Sequence, residues 1–290
     1  MMDTRITYTN HLGASITFGG TDETLNYLAH TLRNYKWGYT ARGNRIERFK
    51  MEPKEATFPV GIAASTEEEG LRLRNHIHAL TTVDRAAKIP GSLEICGYTA
   101  LCYVIGAVPT NYWMDDRFAE ITLTILLPEG LWTRETLHHF TPEMSTGFGS
   151  GVDFPFEFPF DLAASRPPRA ITNDATGAGP FIWRVFGPAR DPYFKANDDV
   201  HQVNVVLRNG ERLEVDSRPG KRRAIKLSAA GEVTDVFHLR LRGSLGSGSY
   251  LYEPIPSGRV SFSWDNGYAF DLVLIDQTDT PPWLPFEGEL

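Results

Sequence analysis

Apolar and polar residues alternate along most of this 290-residue chain, and one stretch only spaces its apolar residues convincingly as a helix does. A period of two puts every second side chain on one face of an extended strand, so the chain must fold mainly as sheets. The opening residues RITYTNHLGASITFGG alternate around His11–Gly13 and predict a β-hairpin. A second hairpin is predicted over Tyr35–Lys50, with KWGYT and RIERFK flanking the turn ARGN. FPVGIAAS reads as a strand leading into the helix. There, Ser65 can cap, Glu68 can complete a capping box, and Glu67–Glu69 suit the positive end of the helix dipole. Leu73, Ile77, Leu80 and Val83 then form one apolar stripe, and AAKIPG ends the helix. Strands follow at Ser92–Cys96, Ala100–Ala107 and Phe118–Leu127. The aromatic share of 12%, with 26 glycines and 19 prolines, fits short strands and frequent turns.

The length suits two ordinary domains. Residues 1–160 are expected to form a β-rich domain with one helix, and 161–290 a β-sandwich. At the junction stands GVDFPFEFPFDL. In an extended chain Phe154, Phe156, Phe158 and Phe160 share one face, and Asp153, Pro155, Glu157, Pro159 and Asp161 the other. Its prolines restrict it to an edge strand or a polyproline-like path. AASRPPRAI reads as a short linker. Beyond it, Asn209–Gly210 is expected to join strands Val200–Arg208 and Glu211–Val215 as a hairpin. Asn266–Gly267 is expected to do the same for Arg259–Trp264 and Tyr268–Ile275. Short strands with turn signals at this spacing point to a sandwich or jelly-roll.

No set of residues meets the spacing that catalysis or metal binding requires. His76 and His78 stand two apart on the helix and point in different directions. His138–His139 sit in an expected loop without a third ligand nearby. Cys96 and Cys102 would share a face of one uninterrupted strand, while the break at Gly97 leaves a hairpin equally open; a buried reduced pair is the favoured reading. The pairs Asp115–Asp116 and Asp198–Asp199 have no further oxygen ligands at loop spacing and read as polar turns. No phosphate loop, nucleophile elbow, zinc helix or dinucleotide fingerprint is present. The chain is therefore expected to be no enzyme and to need no cofactor or metal. No signal peptide is evident at the N-terminus, and no apolar run is long enough to insert in a membrane.

The net charge of −7 makes a poor binder of phosphate backbones. The basic residues Arg42, Arg45, Arg48 and Lys50, and likewise Lys221–Arg223, fit a solvated hairpin tip or a protein interface better than a nucleic-acid patch. With Trp37 and Tyr39, Arg42 and Arg45 are the candidate protein-interface residues. Trp183, Tyr193, Tyr250, Tyr252 and Tyr268 can stack on sugars or pack a core, and a sandwich favours the core. The best sugar-site candidates surround the Asn266–Gly267 turn: Trp264, Asp265 and Tyr268. Trp264 shares parity with Val260 and Phe262, and Tyr268 with Phe270 and Leu272, which turns both inward.

In order along the chain come the early hairpin, WGYTARGNRIERF, FPVGIAASTEEEGLRLRNHI, SLEICGYTALCYVIG, GVDFPFEFPFDL, and a C-terminal half ending in IDQTDTPPW. In this order they resemble the distal tail protein (Dit), or siphophage tail-component, family of long-tailed phages. LPFEGEL and the Gly-Ser loop at 243–249 depart from the family's pattern. The resemblance implies an N-terminal domain that assembles as a hexameric ring below the tail tube, and a galectin-like C-terminal sandwich that projects outward. It implies as partners further copies of the chain, the tail-tube protein, a tail-associated lysin or fibre, and receptor-binding proteins. DNA would pass through the lumen unbound. The place would be the virion tail tip, after synthesis in the host cytoplasm. A sugar-binding adhesion protein and a polysaccharide-cleaving tail enzyme are the alternatives.

Overall fold

The structure is a computed structural model that describes residues 5–20, 24–111, 117–142 and 169–283. The aromatic strap at 153–161, the start of the linker, Asp115–Asp116, the expected boundary at 160/161 and the segment 284–290 lie outside the described residues. The chain forms two compact units: residues 1–134 together with 277–290, and residues 135–276. It passes between them twice, at Arg134–Glu135 and at Asp276–Gln277.

Unit 1 holds β1 (Ile6–Thr9), β2 (Ser15–Phe18), β3 (Leu25–Tyr27), β4 (Trp37–Arg42), β5 (Arg45–Met51), β6 (Lys54–Ala63), α1 (Glu67–Ala87), β7 (Gly91–Ile95), β8 (Tyr98–Asn111), β9 (Phe118–Leu127) and the start of β10 (Trp132–Phe140). All pairings are antiparallel. The long strand β8 pairs with β7 through its first half and with β9 through its second, and its register shifts between Val104 and Gly106. It therefore belongs to two runs of strands, β2-β1-β7-β8 and β8-β9-β6-β3. Strict alternation makes β6 one-sided: Ala56, Phe58, Val60 and Ile62 are buried, and their neighbours less so. They meet Ile121, Leu123, Ile125 and Leu127 of β9 in one core.

The helix begins one residue later than its sequence suggests. Thr66, in extended conformation, accepts the Glu69 N–H at 3.2 Å, while the Glu69 carboxylate accepts the Ser65 N–H at 2.9 Å. Thr66 is thus the cap, and Glu69 reaches back past it to the N–H of Ser65, so two of the free N–H groups at the helix start are satisfied without the strict capping-box pair. The stripe is also more polar than expected: Val83 is half-buried, and Thr81 and Asp84 are buried. Asp84 is fully enclosed. It accepts a hydrogen bond from the Tyr8 hydroxyl, one from the His11 N–H at 2.9 Å, and contacts His11 Nδ1 at 2.6 Å. Burial, then the Asp84 carboxylate, raise the Tyr8 hydroxyl above the usual tyrosine range. The knot ties the first hairpin to the end of α1, and Gly91 lies so close that a Cβ there would strike Asp84.

Cys96 and Gly97 resolve the open alternative as a hairpin. Both have positive φ, and Ile95 pairs with Tyr98 across them. Cys96 is half-buried, Cys102 is buried, and both are free thiols.

Unit 2 is a sandwich. It contains β11 (Arg169–Asn173), β12 (Phe181–Phe186), β13 (Ala189–Arg190), β14 (Tyr193–Ala196), β15 (Asp199–Gln202), β16 (Val206–Leu207), β17 (Arg212–Asp216), β18 (Arg223–Leu227), β19 (Val233–Asp235), β20 (Gly258–Ser263) and β21 (Phe270–Thr278, up to Asp276). One sheet runs β19-β18-β17-β12-β21 and the other β11-β20-β14-β15. Between them pack Phe181, Trp183, Phe194, Phe262 and Phe270, with His201 stacked on Phe194 at 4.4 Å. Chemistry drives the layering: alternate residues of β12, β20 and β21 are large and apolar.

Neither Asn-Gly pair makes a hairpin. Strand β17 pairs with β12 and β18, so both its edges are taken, and β16 pairs with β13 instead. Asn209–Gly210 still turns the chain, with the Glu211 N–H donating to Arg208 O at 3.0 Å. Asn266–Gly267 carries the chain from β20 in one sheet to β21 in the other. His138–His139 lie within strand β10, not in a loop. Of the pair expected as a polar turn, Asp198 sits in the two-residue turn between β14 and β15, while Asp199 opens β15 and pairs with Ala196.

Candidate functional site

The element that stands out in unit 1 is the β4–β5 hairpin. Its strands pair with each other and, among the described residues, with no other strand. Such a two-stranded ribbon is marginal in water unless something covers one face. Here Tyr39 is 68% exposed, Phe49 59%, Ile46 50% and Trp37 41%. Arg42 pairs with Arg45 across the tip, where Gly43 takes φ +59°, and like charges directly opposite repel. The sequence-predicted residues Trp37, Tyr39, Arg42 and Arg45 thus share one exposed ribbon.

The base of the ribbon is held by residues that sequence reasoning missed. Trp37 Nε1 donates to Asp279 Oδ2 at 3.1 Å. Arg33 donates to the Pro282 carbonyl at 2.9 Å, and its guanidinium lies 4.4 Å over the Trp283 ring. Lys54 donates to the Leu32 and Asn34 carbonyls; burial holds its pKa below the usual lysine range, against the pull of Asp279. The terminal DTPPW motif is therefore a clamp on residues 33–54. An aromatic beside two prolines far from its partners gives no local signal of where it docks.

A cavity of about 570 Å³ lies between α1 and strands β8–β9, lined by Ile77, Val104, Ile105, Ala107, Ile121 and Leu123 among others, with Arg74, His78 and Arg85 at its helix side. Its sheet side is apolar, and no carboxylate is among its lining residues. Among the described residues, no group of three His, Cys, Asp or Glu side chains is placed to hold a metal ion. No helix there is long and apolar enough to cross a membrane.

In unit 2, Trp264 is 8% exposed and meets Phe140 and Phe270 edge-on, each at 5.2 Å. Tyr268 is buried, its hydroxyl accepting the Tyr193 N–H at 2.7 Å and donating to the Tyr193 carbonyl. Burial raises that hydroxyl's pKa well above the usual range. Asp265 is exposed and accepts the Gly267 N–H at 2.9 Å. These three share a turn, but both rings lie in the core. Trp183 and Tyr252 are buried as well, and Tyr193 and Tyr250 half-buried.

Mainly antiparallel β structure, with one α-helix among the described residues, is the fold this chain shares with phage distal tail proteins. The crystal structure of the SPP1 Dit protein (gp 19.1), described as a paradigm of the hub adsorption apparatus in phages infecting Gram-positive hosts, aligns with 95% of this chain over 99% of its own. The TM-score is 0.57 and the identity 12%. Chains of the phage P2 baseplate, in activated conformations with calcium and with strontium, align over 97% of this chain with TM-scores of 0.55 and 0.56 and 10% identity. No protein-family model and no curated sequence matches the chain.

Proposed function

We propose that this chain is a structural distal tail protein, a hexameric ring subunit that joins the tail tube of a long-tailed phage to its tip. The observation that carries this reading is a Dit-like fold spanning 95% of the chain together with a ribbon of exposed rings and arginines that its own unit leaves uncovered. In a closed ring each protomer presents one surface to a different surface of the next, repeated around the axis. Trp37, Tyr39, Arg42 and Arg45 supply the kind of side chains that carry such contacts. In this reading residues 1–160 build the ring, and the galectin-like part, 161–290, projects from it. The tail-tube protein, a tail-associated lysin or fibre and receptor-binding proteins dock on the ring, DNA passes through its lumen, and the chain performs no catalysis. Native mass spectrometry with negative-stain imaging tests this. Rings are expected, and a strict monomer at high micromolar concentration would overturn it.

The burial of Trp264 and Tyr268 supports a docking role for the sandwich over sugar binding, since neither ring offers an open face. Saturable binding of a host wall polysaccharide, abolished by Trp264→Ala without loss of the fold, would reverse that choice.

A further inference from the structure

Strand β19 ends its sheet: it pairs with β18 and, among the described residues, with no other strand. Val233, Thr234 and Asp235 are all exposed. Two residues further, Phe237 opens a 3-10 turn at the surface and stacks on Tyr252, ring centres 5.7 Å apart and 11° from parallel. The Arg240 guanidinium lies 3.8 Å over Phe237. Tyr250 meets Tyr252 edge-on, and Arg222 occupies their corner, 5.9 and 5.7 Å from the two rings.

Neither guanidinium is neutralised. Arg240 donates to the Phe237 carbonyl at 3.0 Å; Arg222 donates to the Ser217 carbonyl at 3.5 Å and to the Tyr250 hydroxyl at 3.2 Å. Among the described residues, no carboxylate forms an ion pair with either. Asp235, the acid beside them, accepts the Phe237 N–H at 2.8 Å. In a chain of net charge −7, two unpaired arginines packed on one aromatic cluster are a specific arrangement. A guanidinium stacked on a ring keeps its in-plane N–H groups free for a carboxylate, and stacking limits the rotamer freedom lost on binding.

We propose that this face is a docking site for an extended acidic segment of a partner protein, whose backbone adds to the free edge of β19 and whose carboxylates meet Arg222 and Arg240. Main-chain pairing at a sheet edge supplies affinity, and side-chain pockets supply choice of partner. The steps from Arg240 to Phe237, Tyr252 and Arg222 cap the separation of the two guanidiniums at about 15 Å. An extended strand rises about 3.3 Å per residue, so acids two or four residues apart on one face reach both. A glycan or nucleic acid fits less well. Phe237 is covered by Arg240 and by Tyr252, which leaves it no face for sugar or base stacking. The site stands on these contacts alone and does not depend on ring formation.

The test uses the full chain and a fluorescein-labelled peptide of about twelve residues, alternating valine with polar residues and carrying glutamate at every fourth position. Saturable binding is expected, weakened about tenfold or more by Arg222→Gln with Arg240→Gln, and absent for the same peptide with glutamine in place of glutamate. The amides of Val233–Asp235 should gain protection from hydrogen exchange when the peptide binds. If the double variant melts below the parent, Arg222→Gln alone, on an exposed side chain, decides by the same criterion. Peptide binding indifferent to the arginines or to the glutamates overturns the proposal. So does binding of heparin or polyphosphate, but not the peptide, through the same two arginines.

Discussion

The ribbon of unit 1 and the sandwich of unit 2 place their aromatic rings in opposite ways. In unit 2, Phe181, Trp183, Phe194, Phe262 and Phe270 are wholly buried between two sheets. In unit 1, Trp37, Tyr39 and Phe49 stand on a ribbon in water, while the core beneath is mostly aliphatic. Both sets lie on strands of similar length. The difference teaches that a strand's own pattern does not say whether another layer of its unit covers it.

The largest test of this contrast is truncation within the sandwich. Trp183→Ala should cost about 3–5 kcal/mol, through lost burial and the cavity left behind. Denaturant unfolding of the full chain should show the transition assigned to unit 2 moving to much lower urea.

Acid should find the same unit next. His201 is buried with Nδ1 at 3.0 Å from the Leu251 carbonyl and, among the described residues, no partner for Nε2; burial lowers its pKa to about 4, partly opposed by that carbonyl. The unfolded chain binds the proton near pH 6.5 and the folded chain only near 4. Stability from this group is therefore complete above about pH 6.5 and falls as pH drops toward 4, by up to about 3 kcal/mol. Urea midpoints of parent and His201→Gln, measured between pH 7.5 and 4.5, should converge as pH falls; a constant gap would remove His201 as the cause.

In unit 1 the matching probe is the polar knot. Asp84→Ala strands the Tyr8 hydroxyl and the His11 N–H in a buried site and should cost about 2 kcal/mol. A thermal melt in which unit 1 alone shifts is the expected outcome.

The smallest stability effect belongs to the ribbon. Tyr39→Ala and Phe49→Ala should change stability by no more than about 0.5 kcal/mol, because both rings are mostly exposed. The same variants should shift any self-association to higher concentration in sedimentation runs. A loss of stability as large as that of Trp183→Ala would erase the contrast between the units.

Strand parity read the sandwich core well, because inward residues of β12, β20 and β21 must be apolar whatever the topology. It turned Trp264 and Tyr268 inward, where the structure has them. The Asn-Gly pairs misled because a tight turn fixes only local backbone angles. Which strands then pair depends on distant edges already occupied, as β17 is by β12 and β18. The helix cap slipped by one residue because Ser65-Thr66 followed by three glutamates permits two registers. The candidate ribbon was legible as a hairpin with exposed interface-type residues. The clamp from Asp279 to Trp283 was not, since those contacts span more than 200 residues of sequence. The division into units at Arg134 and Asp276 falls inside strands β10 and β21, where no composition change marks it.

That placement bears on the order in which the molecule is completed during synthesis. Everything in unit 1 up to Arg134 leaves the ribosome early, including Trp37, Tyr39 and the arginines of the ribbon. Asp279 and the Pro282–Trp283 pair leave only after the whole of unit 2. Translation at roughly 5–20 residues per second puts on the order of ten seconds between the two events. Throughout that interval the nascent chain exposes its stickiest ribbon on an unclamped base. The clamp thus acts as a timestamp, and only a chain translated through Trp283 has a ribbon whose base is set.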